Sequence, residues 1–348
     1  MTTDEAKPRV FSGIQPTGRK TLGNYSGGFR QYVQTQEQGD AFFCIVDLHS
    51  ISVEYDAAEL RSSTLDLAAL LFAVGLDPDR STVFCQSHVT AHAEAAWLLS
   101  AVTGYGQLGR MTQFKEKSDA HEFVSAALFT YPVLMAGDIL LYQTDLVPIG
   151  DDQRQHLELT RDVAQRFNFR FGETFRLPEG VFPTVGGRIM DLQEPTSKMS
   201  TSTSSEQGAV YVIDPPDAIR KKFKTAVTDS GREVRYDPER KPGVSNLLEI
   251  MGVATGRSIS EIEAEFEGKG YGDFKTAVGE SVVELLTPIR ERYEALRADE
   301  RELQRLLAVG AEKARRVADP TLEAMYDRMG FARSEAGRFF GAARPRGL

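Results

Sequence analysis

The chain has 348 residues, 41% of them apolar and 26% charged, with a formal net charge of −9. This composition excludes a mainly disordered or fibrous protein, and the length favours two domains, each able to bury a core. Two cysteines, Cys44 and Cys85, are too few for a disulfide scaffold, and both sit in apolar runs, as buried thiols of a reducing, cytoplasmic compartment do.

The first ten residues hold two acids and no apolar core, so no secretory signal is expected there. Val10 to Ile14, Ala41 to Asp47 and Thr82 to Gln86 read as strands, rich in Val, Ile, Phe and Cys and closed by polar residues. Ala57 to Val74 has the pattern of an amphipathic helix ended by Gly75 and the Asp77-Pro78 turn. A helix around Ala93 to Thr103 follows, then a basic loop from Gln113 to Ser118. The apolar run from Ala126 to about Gln143 reads as a long helix; Pro132, Gly137 and Asp138 interrupt it, and it is too short to cross a bilayer. Leu146 to Ile149 is a fourth strand, and Asp151 opens a helix reaching about Phe167.

Alternation of this kind predicts a parallel sheet covered on both faces, with ligands beyond the carboxyl ends of its strands. Gln15, Asp47, His49 and Gly150 to Gln153 then surround one crevice. Thr196 to Ser205, TSKMSTSTSS, reads as a flexible linker. Beyond Asp214-Pro215-Pro216 the pattern is all-helical, with helix starts suggested at Pro288 and at Asp319-Pro320. Charge is unevenly spread. Ala218 to Pro242 and Arg328 to Leu348 each carry +4, leaving −17 for the rest. Such basic patches suit either a phosphate backbone or a solvated helix face.

Four constellations could carry chemistry. Gly13-Ile-Gln-Pro-Thr-Gly18-Arg19-Lys20-Thr21 follows the first strand and nearly matches the phosphate loop of nucleotide hydrolases, which needs lysine directly after the second glycine. Arg19 intervenes, and one residue on a helix turns a side chain by about 100°, so Lys20 is expected to point away from phosphates. Asp47, after an apolar strand, keeps the hydrolase reading open. Asp138 lies on the face of its greasy helix that also carries Tyr131, Leu134, Met135, Leu141 and Tyr142. A buried carboxylate there costs several kcal/mol without a donor, which is either internal or a flat ligand bearing one N–H or O–H. Gly150-Asp151-Asp152-Gln153 could cap a helix or bind ribose hydroxyls. His88 and His92 have helical spacing, but Val89 stands where a metalloprotease pair needs glutamate, and no metal site built from protein ligands is expected.

FSGIQPTGRKTLGNY, CIVDLHSI, RMTQFKEKS, YPVLMAGDILLYQTDLVPIGDDQRQHLELTRD and PTSKMSTS together resemble bacterial tryptophanyl-tRNA synthetases, which are class I aminoacyl-tRNA synthetases. The resemblance runs from about Val10 to about Phe331. It implies a Rossmann-type catalytic domain (residues 1–197), a mobile loop (198–205), a helical anticodon-binding domain (206–290) and helices returning to the catalytic domain (291–341); the tail from 342 to 348, beyond the resemblance, is expected to be disordered. It implies activation of L-tryptophan by ATP with substrate-bound magnesium, release of pyrophosphate, and transfer to tRNA(Trp) by a homodimer. Gln15, Pro16, Thr17, Gly23, Asn24, Gly150, Asp151, Asp152 and Ile189 would contact ATP, with Thr21 and Asn24 at the positions of the family's two signature histidines. Asp138 would accept the indole N–H among Phe11, Val46, His49, Tyr131, Met135 and Val147, while Tyr131 and Gln153 hold the ammonium group. Lys117 and Lys198 would supply positive charge to the departing pyrophosphate. Arg220, Lys221, Lys222 and Lys224 would meet tRNA.

The mobile loop reads Lys198-Met199-Ser200-Thr201-Ser202, so the second lysine of the family pattern is missing. That departure keeps open a catalytically weakened paralogue that senses tryptophan or nucleotide.

Overall fold

The structure, a computed structural model, describes residues 7–120, 123–150, 153–181, 189–201 and 204–332. Among these residues five strands, β1 (Arg9–Ile14), β2 (Asp40–Ile45), β3 (Thr82–Cys85), β4 (Leu146–Pro148) and β5 (Glu179–Val181), form one parallel sheet in the order β3-β2-β1-β4-β5. The chain builds outward from β1 to β3, then returns to lay β4 on the other side of β1. Strand order therefore reverses between β1 and β4, and a crevice opens at their carboxyl ends.

The connections are helical. After β1 come α1 (Leu22–Asn24), a π-turn (Tyr25–Phe29) and α2 (Arg30–Gln38), and after β2 come α3 (Asp47–Ser50) and α4 (Ala57–Ala73). Beyond β3 lie a 3-10 turn (Gln86–His88), α5 (Ala91–Ser100), α6 (Tyr105–Leu108), α7 (Thr112–Ala120) and α8 (Ala126–Leu140). Helix α9 (Arg154–Phe171) precedes β5, and the remainder is α10 (Pro216–Lys224), α11 (Pro242–Thr255), α12 (Ile259–Glu265), α13 (Tyr271–Ala298) and α14 (Glu300–Met329).

Strand side chains alternate between two cores. Phe43, Ile45, Val83 and Cys85 face α4 and the C-terminal helices, whereas Phe11, Phe42, Cys44 and Phe84 face α5, α8 and α9. Both cysteines are buried free thiols, and burial, aided by nearby carboxylates, pushes both thiols up. Among the described residues no helix is long and apolar enough to cross a membrane.

Helix α14 touches both cores, Leu303 and Leu307 joining one and Ala314, Leu322 and Met325 the other. It passes the outer strand at Gly310, where an added Cβ would lie 1.8 Å from the Val83 carbonyl oxygen. Backbone cannot yield as a side-chain tip can, so Gly310→Ala must push α14 off the sheet. We expect it to lower unfolding free energy by about 1–3 kcal/mol, read as a fall in thermal midpoint; an unchanged midpoint would show that the helix does not seat there.

Three sequence expectations need correction. Gln113 to Ser118 is not a loop but part of α7, anchored through Phe114 edge-on to Phe129 at 5.1 Å. Pro288 and Pro320 do not start helices; they lie inside α13 and α14. Buried residues continue across each, with Val282 to Ile289 in α13 and Ala318 to Met325 in α14, so packing on both sides offsets the lost hydrogen bond. The fifth strand, Glu179–Val181, is too short and too polar to show in the pattern.

Candidate functional site

A cavity of about 590 Å³ occupies the crevice beyond β1 and β4. Its first wall is the turn after β1. Gly18 has φ +65, a conformation glycine adopts freely, and the space a Cβ would take is filled by the Thr201 methyl group, 2.4 Å away. Thr21 then caps the helical run that follows: its hydroxyl accepts from the Asn24 N–H, and Asn24 Oδ1 accepts from the Thr21 N–H. Residues 19 and 20 precede this helix, so rotation about a helix axis does not apply to Lys20. Contrary to the sequence expectation, Lys20 lines the cavity, its Nζ donating to the carbonyls of Gln15 and Thr17 at 2.8 Å each. Burial pushes its ammonium down to about 8.

The second wall is apolar. Phe11 on β1, Val147 on β4 and Val46 just past β2 are buried, and Tyr131 and Met135 lie on α8. Tyr131 Oη sits 2.7 Å from His156 Nε2 and donates to Gln113 at 3.3 Å; burial pushes its hydroxyl up to about 12.

Asp138, 2% exposed, forms the polar point of this wall. One carboxylate oxygen accepts from Gln86 Nε2 and His92 Nδ1, both at 2.6 Å, and the other from His49 Nε2 at 2.8 Å. Burial alone would raise its pKa. The hydrogen bonds from His49 and His92, and their electrostatic attraction, overcome that and hold the carboxyl well below the usual range. A carboxylate offers about four lone-pair sites. Three are filled, so one remains for a donor inside the cavity. The internal donor and the ligand, posed as alternatives by the sequence, are compatible. Behind the carboxylate, His92 Nε2 lies 2.8 Å from the hydroxyl of Tyr142, which is fully buried and stacks on Phe11.

The Ser/Thr segment is anchored rather than a free linker. Met199 is buried, its N–H bonds the Ile189 carbonyl at 3.1 Å, and Asp191 N–H bonds the Ser197 carbonyl. The sequence reading overlooked that one methionine suffices as an apolar anchor. Thr201 Oγ1 donates to the Arg19 carbonyl at 2.7 Å, so the loop rests on the first turn.

Of the residues named from sequence, Gln15, Thr17, Gly23, Asn24, Gly150, Gln153, Lys198 and Met199 line the cavity with Phe11, Val46, His49, Tyr131, Met135, Asp138 and Val147. Pro16, Thr21, Ile189, Ser200 and Thr201 are not part of that lining, and Pro16 lines a smaller neighbouring pocket instead. Asp151, Asp152, Ser202 and the Lys117 side chain lie outside the described residues. Asp47 does not reach the cavity; both its oxygens serve Ser87, one accepting from the backbone N–H at 2.9 Å and the other from the hydroxyl. His88 sits exposed on the 3-10 turn, away from the helical face of His92, so their spacing carries no meaning. On α10, Lys222 is 3% exposed and paired with Asp214 at 2.8 Å, and Arg220 is neutralised by Glu280 and Asp217. Only Lys221 and Lys224 of that basic run are exposed without an ion-pair partner among the described residues. Sequence reasoning missed Gln86 and His92 as partners of Asp138, and Lys20 as a cavity residue.

A reversing parallel sheet, a glycine-bearing turn, a lysine-bearing loop closed on it, and an adjacent aromatic slot with one carboxylate define a nucleotide-using enzyme that also holds a flat substrate. A family model described as tRNA synthetases class I (W and Y) matches residues 3–287. The tryptophan--tRNA ligase of Listeria monocytogenes serotype 4b is 55% identical over 327 residues, covering 94% of this chain and 98% of that protein. Tryptophan--tRNA ligase 2 of Streptomyces avermitilis is 53% identical, covering 93% and 97%. Among solved structures, tryptophanyl-tRNA synthetase from Campylobacter jejuni complexed with ADP and tryptophan superposes with a TM-score of 0.83 at 34% identity, covering 93% of this chain and all of that one. The Mycoplasma pneumoniae enzyme gives 0.83 at 38% identity, covering 94% and 98%. The chain belongs to the class I tRNA synthetases for tryptophan and tyrosine, on the tryptophan--tRNA ligase branch.

Proposed function

We propose that the chain is an ATP-dependent ligase that converts L-tryptophan to its adenylate and passes it to tRNA(Trp). One observation carries this reading. An ionised, buried Asp138 shares a single cavity with Gln15, Thr17, Asn24 and Lys198. The aromatic slot takes the indole, and the open acceptor site of Asp138 takes its N–H. Gln153 and Tyr131 face the amino-acid end, which leaves the tryptophan carboxylate directed at the nucleotide.

The first step is attack of a carboxylate oxygen on the α-phosphorus of ATP. A new oxygen–phosphorus bond forms, the bond to the β-phosphate bridging oxygen breaks, and pyrophosphate leaves with that electron pair. The protein contributes in-line positioning and positive charge on the leaving group. Lys198, held by the backbone bonds of its neighbours Ser197 and Met199, is one source of that charge, and Lys117 is another in this reading. In the second step a terminal ribose hydroxyl of the tRNA attacks the adenylate carbonyl and AMP departs. Among the described residues no group of three or more His, Cys, Asp and Glu side chains could hold a metal ion. Magnesium is assigned in this reading to the ATP phosphates.

Residues 1–197, 198–205, 206–290 and 291–341 are proposed as catalytic domain, closing loop, anticodon-binding helices and returning helices, a division supported by α14 packing back on β3. Exposed Lys221 and Lys224 are the basic residues of α10 available to tRNA. A cytoplasmic homodimer completes the reading, supported by Trp97 and Tyr105, which are 79% and 80% exposed on consecutive helices.

Tryptophan-dependent exchange between ATP and labelled pyrophosphate tests the whole. Exchange is expected with tryptophan and not with tyrosine. Phosphate release without tryptophan would instead mark a hydrolase, and tryptophan binding without exchange a sensor.

A further inference from the structure

We propose that Lys20 is a phosphate-binding residue of the nucleotide site, its ammonium contacting the departing pyrophosphate end of ATP. The inference rests on the nucleotide reading of the cavity and adds a residue to it. Two neighbouring cations on the first turn behave differently. Arg19 is neutralised, reaching Glu206 at 3.1 Å and Asp214 at 2.8 Å, and it stacks over the Tyr211 ring at 3.6 Å. Lys20 borders the cavity and also a smaller neighbouring pocket that carries Glu59 and Asp66, yet among the described residues it meets no carboxylate within ion-pair distance and bonds the carbonyls of Gln15 and Thr17.

An ammonium carries three N–H groups. Two are spent on the turn, and the third is left for a ligand of the cavity, whose lining Lys20 shares with Thr17 and Asn24. A half-buried cation without a counter-ion is costly, which is why burial lowers its affinity for the proton. A polyphosphate entering the cavity supplies the missing anion, and the two carbonyl bonds hold the ammonium ready for it.

The loop gives a second, independent reason. Thr201 brings no charge, yet its hydroxyl bonds the Arg19 carbonyl and its methyl group covers Gly18. The loop therefore closes on the turn one residue from Lys20, and the charge it lacks is provided by the surface it closes on. Lys20 and Lys198 are the two ammonium groups lining the cavity among the described residues.

The test uses the full-length enzyme and three variants in tryptophan-dependent pyrophosphate exchange. Lys20→Met is expected to lower kcat/KM for ATP by about 10- to 100-fold, the range of a charge-assisted hydrogen bond, with the KM for tryptophan within twofold of wild type. Lys20→Arg retains most activity. In the Lys20→Met background, Thr201→Lys restores at least tenfold, because a cation returns to the same end of the cavity without rebuilding the carbonyl clip. Two results overturn the proposal. One is a Lys20→Met enzyme with wild-type ATP kinetics. The other is a loss shared equally by ATP and tryptophan and not recovered by Thr201→Lys, which makes Lys20 a brace for the turn alone. Absence of exchange in the wild type would sink the nucleotide reading itself, a distinct outcome.

Discussion

Asp138→Ala is expected to remove most of the enzyme's preference for tryptophan over phenylalanine in pyrophosphate exchange. A site whose buried group hydrogen-bonds a substrate N–H rejects the analogue lacking it by a factor of about 10⁴ or more, because the unsatisfied group stays in the cavity. Alanine removes that penalty along with the bond. The same substitution strands Gln86 Nε2, His49 Nε2 and His92 Nδ1, all within 2.8 Å of the carboxylate. Breaking a buried charged cluster costs about 3–5 kcal/mol, so a lower thermal midpoint should accompany the altered selectivity. The sign of its pH dependence follows from the depressed pKa. The stabilisation from Asp138 is fully present above the unfolded carboxyl value and fades as acid protonates the folded group, so the gap between wild type and variant shrinks below about pH 4. Retained discrimination in a folded Asp138→Ala protein would refute the indole assignment.

Lys198→Met should reduce the rate of exchange by about 30- to 1,000-fold, equivalent to about 2–4 kcal/mol of transition-state stabilisation. Lys198 is exposed at the mouth, but its backbone is not free. It forms an antiparallel bridge with Met190, and the neighbouring Met199 is buried. The loss should therefore appear in kcat with little change in the affinity for tryptophan. A rate within threefold of wild type would show that the cation is not used in the step.

The features legible in the sequence were those written in local pattern. The strands Val10 to Ile14 and Thr82 to Gln86, and the apolar face of α8 with Tyr131, Met135 and Asp138, follow from periods of two and 3.6 residues. The resemblance to bacterial tryptophanyl-tRNA synthetases located the motifs that line the cavity. What the sequence concealed is long-range. Gln86 and His92 reach Asp138 across 52 and 46 residues, and nothing in their own neighbourhoods signals a carboxylate. Lys20 escapes the phosphate-loop pattern because the helix after this turn starts only at Leu22, so helical rotation does not set its direction. Pro288 and Pro320 misled because propensity acts locally, while helices α13 and α14 are decided by the surface they cover. In Lys222 a cation that looks solvent-facing by composition is sequestered by Asp214.

Among the described residues β3 is the last strand of its sheet on one side, and helix α14 packs against it. An uncovered outer strand is a template for pairing with other chains. Without α14 this edge would offer its unpaired backbone groups to another chain. Helix α14, seated on β3 at Gly310, thus shields that margin of the sheet as well as joining its two cores.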